Sequence, residues 1–224
     1  MDVIIYLLLD CLDTMAIVFL MMSVFQYPIK EYGKEISIIC GLLAAISYII
    51  REVIHFAAID PVVHIVLLII CLRYIVKIKW HRSIIIAAVG IAGYFAVQAI
   101  VSVIFSHLGW LSSVGLSETS SSEVRLVQLS SQCSAFFIAV LIHKYDLGKT
   151  KFIRPPHDFY ITIKLNEEQI RMFSVSVLSL VLLSITSYSF VFSFSVIAFS
   201  VLATVLCLAI TYLTYRREKI GSRS

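Results

Sequence analysis

The sequence predicts an all-α protein, a polytopic bundle of about seven transmembrane helices, on three observations. Apolar residues make up 60% of the chain and charged residues only 14%, against about 45–50% and about 25% in soluble domains. The apolar residues lie in long runs bounded by charge. The basic residues gather in every second connector between those runs. A chain of this composition cannot bury its apolar surface in a core of its own size, so it needs lipid around it.

About 20 apolar residues cross the hydrocarbon core, and that length sets the spans. The first covers 3–26 and contains Asp10 and Asp13. The second covers 36–58; it is purely apolar only to Ile50 and continues through Arg51, Glu52 and His55 to reach full length. Asp60-Pro61 then breaks the chain, because the residue before a proline is pushed out of helical geometry. The third span is 61–78, with Arg73 and Lys77 near its end, where long basic side chains snorkel to the headgroups.

The fourth span, 83–108, is the cleanest apolar run, and Ala88, Ala92 and Ala96 with Gly90 and Gly93 suit it to close helix packing. The polar segment Ser112–Glu123 separates it from the fifth span at 126–142. A mixed-charge connector with Pro155-Pro156 follows, and Asn166 is placed to cap the next helix. From Met172 to Tyr215, 44 residues carry no charge. At about 1.5 Å per residue they make a rod of roughly 66 Å, twice a core of about 30 Å. The stretch therefore divides into spans at 171–190 and 194–215 with a turn near Ser187–Ser195. A short basic tail, 216–224, completes the chain.

Charge sets the orientation. The connectors Tyr27–Glu35, Arg73–Arg82 and His143–Arg171, with the tail, hold 16 of the 18 basic residues; the other set holds only Arg51 and Arg125. By the positive-inside rule the first set is cytoplasmic, which gives the N-terminus out and the C-terminus in, at the cell membrane. Six spans would strand the basic tail outside. Met1-Asp2 offers no positive region of the kind that opens a signal peptide.

The same reading excludes several functions. The net charge of +4 is accounted for by this topology, so nucleic acid is not an expected partner. Cys11, Cys40, Cys71, Cys133 and Cys207 lie in apolar runs with no CxxC pair and no Cys/His cluster of ligand spacing. They read as packed thiols, with no metal and no cofactor expected.

Polar residues in awkward places are the candidate site. Asp10 and Asp13, at i and i+3, share a helix face in the outer half of the first span. A carboxylate at that depth faces the bundle interior and has a partner. The expected partners are Arg51 and His55 at the outer end of the second span. Gln132 and Arg125, Gln98 and His107 are expected at the same depth. The functional reading is an outward-opening polar pocket for a ligand or proton, formed by Asp10, Asp13, Arg51 and His55; the alternative is an ion pair that only fixes packing.

His64 and Cys71 stand seven apart on one face of the third span, a spacing similar to the catalytic pair of AgrB-type membrane peptidases. A thiolate needs an imidazole beside it. Here two helical turns separate the pair by about 10 Å, the six residues between are aliphatic, and no glycine-rich basic stretch precedes the histidine. A packed histidine and a packed cysteine are the expectation.

The opening MDVIIYLLLDCLDTMAIVFLMMSVFQYPIKEYGKEI, with LRYIVKIKWHRSIIIA around Arg73–Ala87, resembles the N-terminal membrane region of the GHKL-type sensor histidine kinases of Gram-positive bacteria, the class of AgrC-like peptide receptors. The resemblance implies a membrane module that detects an extracellular or membrane signal, a peptide or small molecule. It further implies relay to a cytoplasmic signalling partner or through a homodimer. After Tyr215 nine residues remain, with no phospho-acceptor histidine and no ATP-binding motif, so a stand-alone or truncated sensory region, not an enzyme, is expected. The second class of reading is a small transporter or transport-complex subunit using intramembrane carboxylates.

Overall fold

In lipid, backbone polar groups must be satisfied within the chain, and a helix does this segment by segment. The computed structural model describes residues 3–56, 59–110, 122–145, 147, 167–190 and 205. These residues form α1 (Val3–Val24), α2 (Gly33–Tyr48) prolonged by a π-turn (Ile49–Val53), α3 (Asp60–Tyr74), α4 (Trp80–His107), α5 (Ser122–Lys144) and α6 (Glu167–Phe190). No strand occurs among them.

Among the described residues, four helical segments are long and apolar enough to cross a membrane: Val3–Val24, Gly33–Val53, Trp80–His107 and Arg125–Lys144. They fit a membrane location. The shorter α3 has 15 residues, roughly 22 Å at about 1.5 Å per residue, and α6 carries an apolar stretch at Ile170–Ile185. The expected seventh span, 194–215, lies outside the described residues except for Val205, and so do the tail and Asn166. Helix α6 runs unbroken through Ser187 to Phe190, so the proposed turn cannot begin before residue 191.

Helices α1, α4 and α5 overlap the apolar runs at 3–26, 83–108 and 126–142. The second span differs. It starts earlier, at Gly33, and leaves helical geometry after Val53 rather than near Ala58. The physical reason is the π-turn: Ile54 N–H bonds Ile49 O at 2.9 Å, five residues back, and Phe56 N–H bonds Ile50 O at 3.1 Å. The turn closes with His55 in the left-handed region at φ 57°. The third helix begins at Asp60 with Pro61 in its first turn, where the missing N–H has no intrahelical acceptor to lose.

The bundle wears its apolar side chains outward and hides polar ones. Ile4, Leu8, Ile38, Ile100, Phe137, Val140 and Leu178 are all more than half exposed, whereas Asp10, Thr14, Ser47, Asp60, Ser83, Ser131 and Gln132 are buried. An apolar exterior of this extent is compatible with lipid and not with water.

At the centre, α1 packs on α2, α4 and α5, and α4 also packs on α3, α5 and α6. Small residues make this possible. Ala87, Ala88 and Ala92 are fully enclosed, and a Cβ at Gly90 would stand 2.7 Å from Met21 Cβ. Two helix backbones that close leave no room for a side chain at position 90.

Three more connections turn through left-handed residues, as helix C-termini commonly do. Gln26 follows α1 at φ 50°, Lys77 follows α3 at φ 62°, and Gly109 follows α4 at φ 71°. Returning N–H groups satisfy the last carbonyls: Tyr27 to Met22 at 2.9 Å, Ile78 to Leu72 at 3.0 Å and Trp110 to Phe105 at 3.0 Å.

Candidate functional site

Polar side chains from five elements meet at one end of the bundle. They come from the N-terminal halves of α1, α3 and α5 and from the C-terminal halves of α2 and α4. Adjacent helices running in alternate directions bring those halves together.

Asp13 is the better supplied of the two α1 carboxylates. Its Oδ1 accepts a hydrogen bond from Tyr94 Oη on α4 and another from Gln132 Nε2 on α5 at 2.8 Å; its Oδ2 accepts from Gln128 Nε2. Gln128 and Gln132 are one helical turn apart, so they present one face to α1. Gln132 Nε2 also donates to the Leu9 carbonyl at 3.0 Å. Among the described residues, its hydrogen-bond donors are all neutral, and together they tie α1 to α4 and α5.

Asp10 turns toward the other side, where α2 and α3 end and begin. Ser47 Oγ donates to Asp60 Oδ2 at 3.1 Å and stands 3.4 Å from Tyr6 Oη. Arg51, carried on the π-turn, places Nη2 at 2.5 Å and Nε at 2.6 Å from the same Asp60 Oδ2. A π-turn holds one residue more than an α-turn, which re-phases the side chains that follow it. Asp60 also sits in the first turn of α3, where the helix dipole favours negative charge.

The acceptors outnumber the donors. Asp10 is 8% exposed and Asp60 2%, yet Asp10 Oδ2, Asp60 Oδ1 and Gln132 Oε1 are buried without a hydrogen-bond partner. Among the described residues of this cluster, the carboxylates are Asp10, Asp13 and Asp60, and Arg51 is the guanidinium in contact with one of them. A buried acceptor left unsatisfied is costly, and three such oxygens lie in this one cluster.

Of the four residues predicted for the site, Asp10, Asp13 and Arg51 fall in this cluster. Arg51 does not serve as the direct partner of Asp10 or Asp13, as expected from sequence; it pairs with Asp60. His55 is exposed beyond the π-turn, and no described contact links it to either aspartate. Gln132 occupies the expected depth, whereas His107 is exposed at the end of α4.

Four members escaped sequence reasoning. Asp60 reads as part of a chain break before proline, and Ser47 and Tyr94 read as ordinary residues of apolar runs. Gln128 had a usable signal, its i, i+4 spacing from Gln132.

Elsewhere, Cys71 is packed in the core and His64 has a buried Nε2 with no hydrogen-bond partner. No described hydrogen bond joins the two. Cys11, Cys40, Cys71 and Cys133 are free thiols. No group of three or more His, Cys, Asp or Glu among the described residues is arranged to hold a metal ion.

Comparison with known proteins finds no matching protein family, curated protein or solved structure.

Proposed function

We propose that this chain is a seven-span membrane protein, N-terminus out and C-terminus in, that receives an extracellular or membrane signal at its outer polar cluster and passes it to a cytoplasmic partner. The observation that carries this reading is the division of labour between two neighbouring carboxylates on α1. Asp13 fastens α1 to α4 and α5, while Asp10 faces the junction of α2 and α3 with an oxygen left open. A ligand that satisfies that oxygen changes which helices α1 holds. Differential binding to two packings is what a sensing bundle requires. The resemblance to AgrC-like membrane regions supports the same reading.

Alternation of the helix halves in the cluster supports an up-and-down path, and the basic connectors Lys30–Lys34 and Arg73–Arg82 support a cytoplasmic side opposite the cluster. Reporter fusions at the C-terminus and within residues 115–122 test this topology. A cytoplasm-active reporter at the C-terminus and an outside-active one in 115–122 are expected; the reverse pattern overturns the orientation.

The excess of carboxylates over cations favours a second reading, transport coupled to protons or cations. Cells carrying Asp10→Asn or Asp13→Asn separate the readings. Lost signal response with unchanged uptake supports sensing, and lost uptake supports transport. If both phenotypes survive both substitutions, the cluster is only structural.

A further inference from the structure

Far from the polar cluster, a cavity of about 270 Å³ lies between the C-terminal half of α1 and the N-terminal half of α2. Met15 and Phe19 of α1, Ile29 of the connector and Gly33, Ser37 and Gly41 of α2 are among its lining residues. The three α2 residues stand one helical turn apart on one face, and all are exposed, so the cavity is a groove open to the outside of the bundle. A Cβ at Gly33 or Gly41 would meet nothing within 4 Å. Ser37 Oγ gives its hydrogen to Gly33 O at 2.9 Å, which leaves the groove wall without a free donor there.

The mouth of the groove is basic. Lys30 and Lys34 directly follow the lining residues Ile29 and Gly33, and both are exposed. Among the described residues neither is held in an ion pair. Tyr32 gives the first turn of α2 no side-chain cap, so the N–H groups at this helix start also favour an anion. Two carboxylates are close in sequence. Glu35 is two residues past Gly33, about 160° round the helix from the groove, which leaves the exposed Glu31 against two lysines and a helix dipole.

We propose that the groove holds one acyl chain of an anionic phospholipid, with the lipid phosphate at Lys30, Lys34 and the start of α2. Size selects the occupant. From Gly33 to Gly41 the groove runs about 12 Å at about 1.5 Å per residue, within one leaflet of a core of about 30 Å. A second helix about 10 Å across and of that length would fill roughly 900 Å³, more than three times the cavity. A single hydrocarbon chain has the right girth. Lipid tails are already apolar, so the chain is held by close packing. Selectivity comes from the headgroup, where phosphate meets ammonium and backbone N–H groups.

Native mass spectrometry of the full chain in detergent micelles, titrated with phosphatidylglycerol or phosphatidylcholine, tests the site. The wild type should take up one phosphatidylglycerol about tenfold more tightly than phosphatidylcholine. Lys30→Gln with Lys34→Gln should abolish that preference. Gly41→Leu fills the groove where an added Cβ meets nothing, and should weaken phosphatidylglycerol binding about tenfold. Ser37→Leu fills the same groove one turn away and decides the matter if Gly41→Leu does not fold. Ile100→Leu, at an exposed position on α4, should change nothing. Equal binding of the two lipids by the wild type, or binding unmoved by both filling variants or by the lysine pair, overturns the proposal. A dimer that Gly41→Leu dissociates also overturns it, since a second copy would then occupy the groove.

Discussion

Arg51 on the π-turn and Asp60 in the first turn of α3, nine residues apart, meet through two guanidinium nitrogens on a single carboxylate oxygen, at 2.5 and 2.6 Å. Asp60 is almost wholly enclosed while the Arg51 side chain is 38% exposed. The pair therefore neutralises a buried charge with one that the protein only partly covers.

Removing the guanidinium leaves the buried carboxylate alone. Arg51→Ala should destabilise the protein by about 2 kcal/mol, below the value for a fully buried pair because Arg51 is partly exposed. Arg51→Ala with Asp60→Asn should recover much of the loss. Thermal unfolding in detergent micelles reads both, and additive losses would show that the two side chains do not cooperate.

Close contact between α1 and α4 makes a sharp steric prediction. Gly90→Ala should lower the unfolding temperature despite the roughly 1 kcal/mol that alanine gains in a helix. Met21→Ala should not rescue it, because the clash at 2.7 Å is with Met21 Cβ, which alanine retains. Gly93→Ala should be milder, since its Cβ would meet the movable Leu20 Cδ2 at 3.1 Å. Gly33→Ala, with nothing within 4 Å of the added atom, is the neutral control.

The three donors to Asp13 should not be equal. Tyr94→Phe removes one hydrogen bond and should cost about 1 kcal/mol. Gln132→Ala removes the bonds to both Asp13 and the Leu9 carbonyl, and should cost about 2 kcal/mol. Equal losses in chemical unfolding of the two variants would count against the geometry.

Lys77 is an exposed lysine in the left-handed region at φ 62°. Lys77→Gly should stabilise the solubilised protein by about 1 kcal/mol, the conformational cost a side chain incurs there. A lower unfolding temperature would mean that the lysine contributes more through its side chain than its backbone costs.

Much of the helical layout was legible from residue type alone. Runs such as Val3–Val24 and Trp80–His107 have no competing pattern, because lipid demands long apolar helices and little else. The end of α2 was not legible. Arg51, Glu52 and His55 look like the last turn of a span that must reach full length, and nothing in their identities announces a π-turn. The site divides in the same way. Asp10 and Asp13 are conspicuous because charge in an apolar run is costly. Asp60 is masked by the proline beside it, and Tyr94 and Ser47 acquire a role only when a neighbouring helix presents a carboxylate to them. Spacing along one helix is visible in a sequence, and contact between helices is not.

The π-turn at Ile49–Val53 is, in genetic terms, one residue too many. Excising a single residue from Ile49–Ile50 would let the last turn of α2 close four residues back instead of five. That swings Arg51 by about 100° around the helix axis, away from Asp60. An in-frame loss of one codon would thus leave composition, hydropathy and helix count nearly unchanged while disconnecting the cluster's cation from its carboxylate.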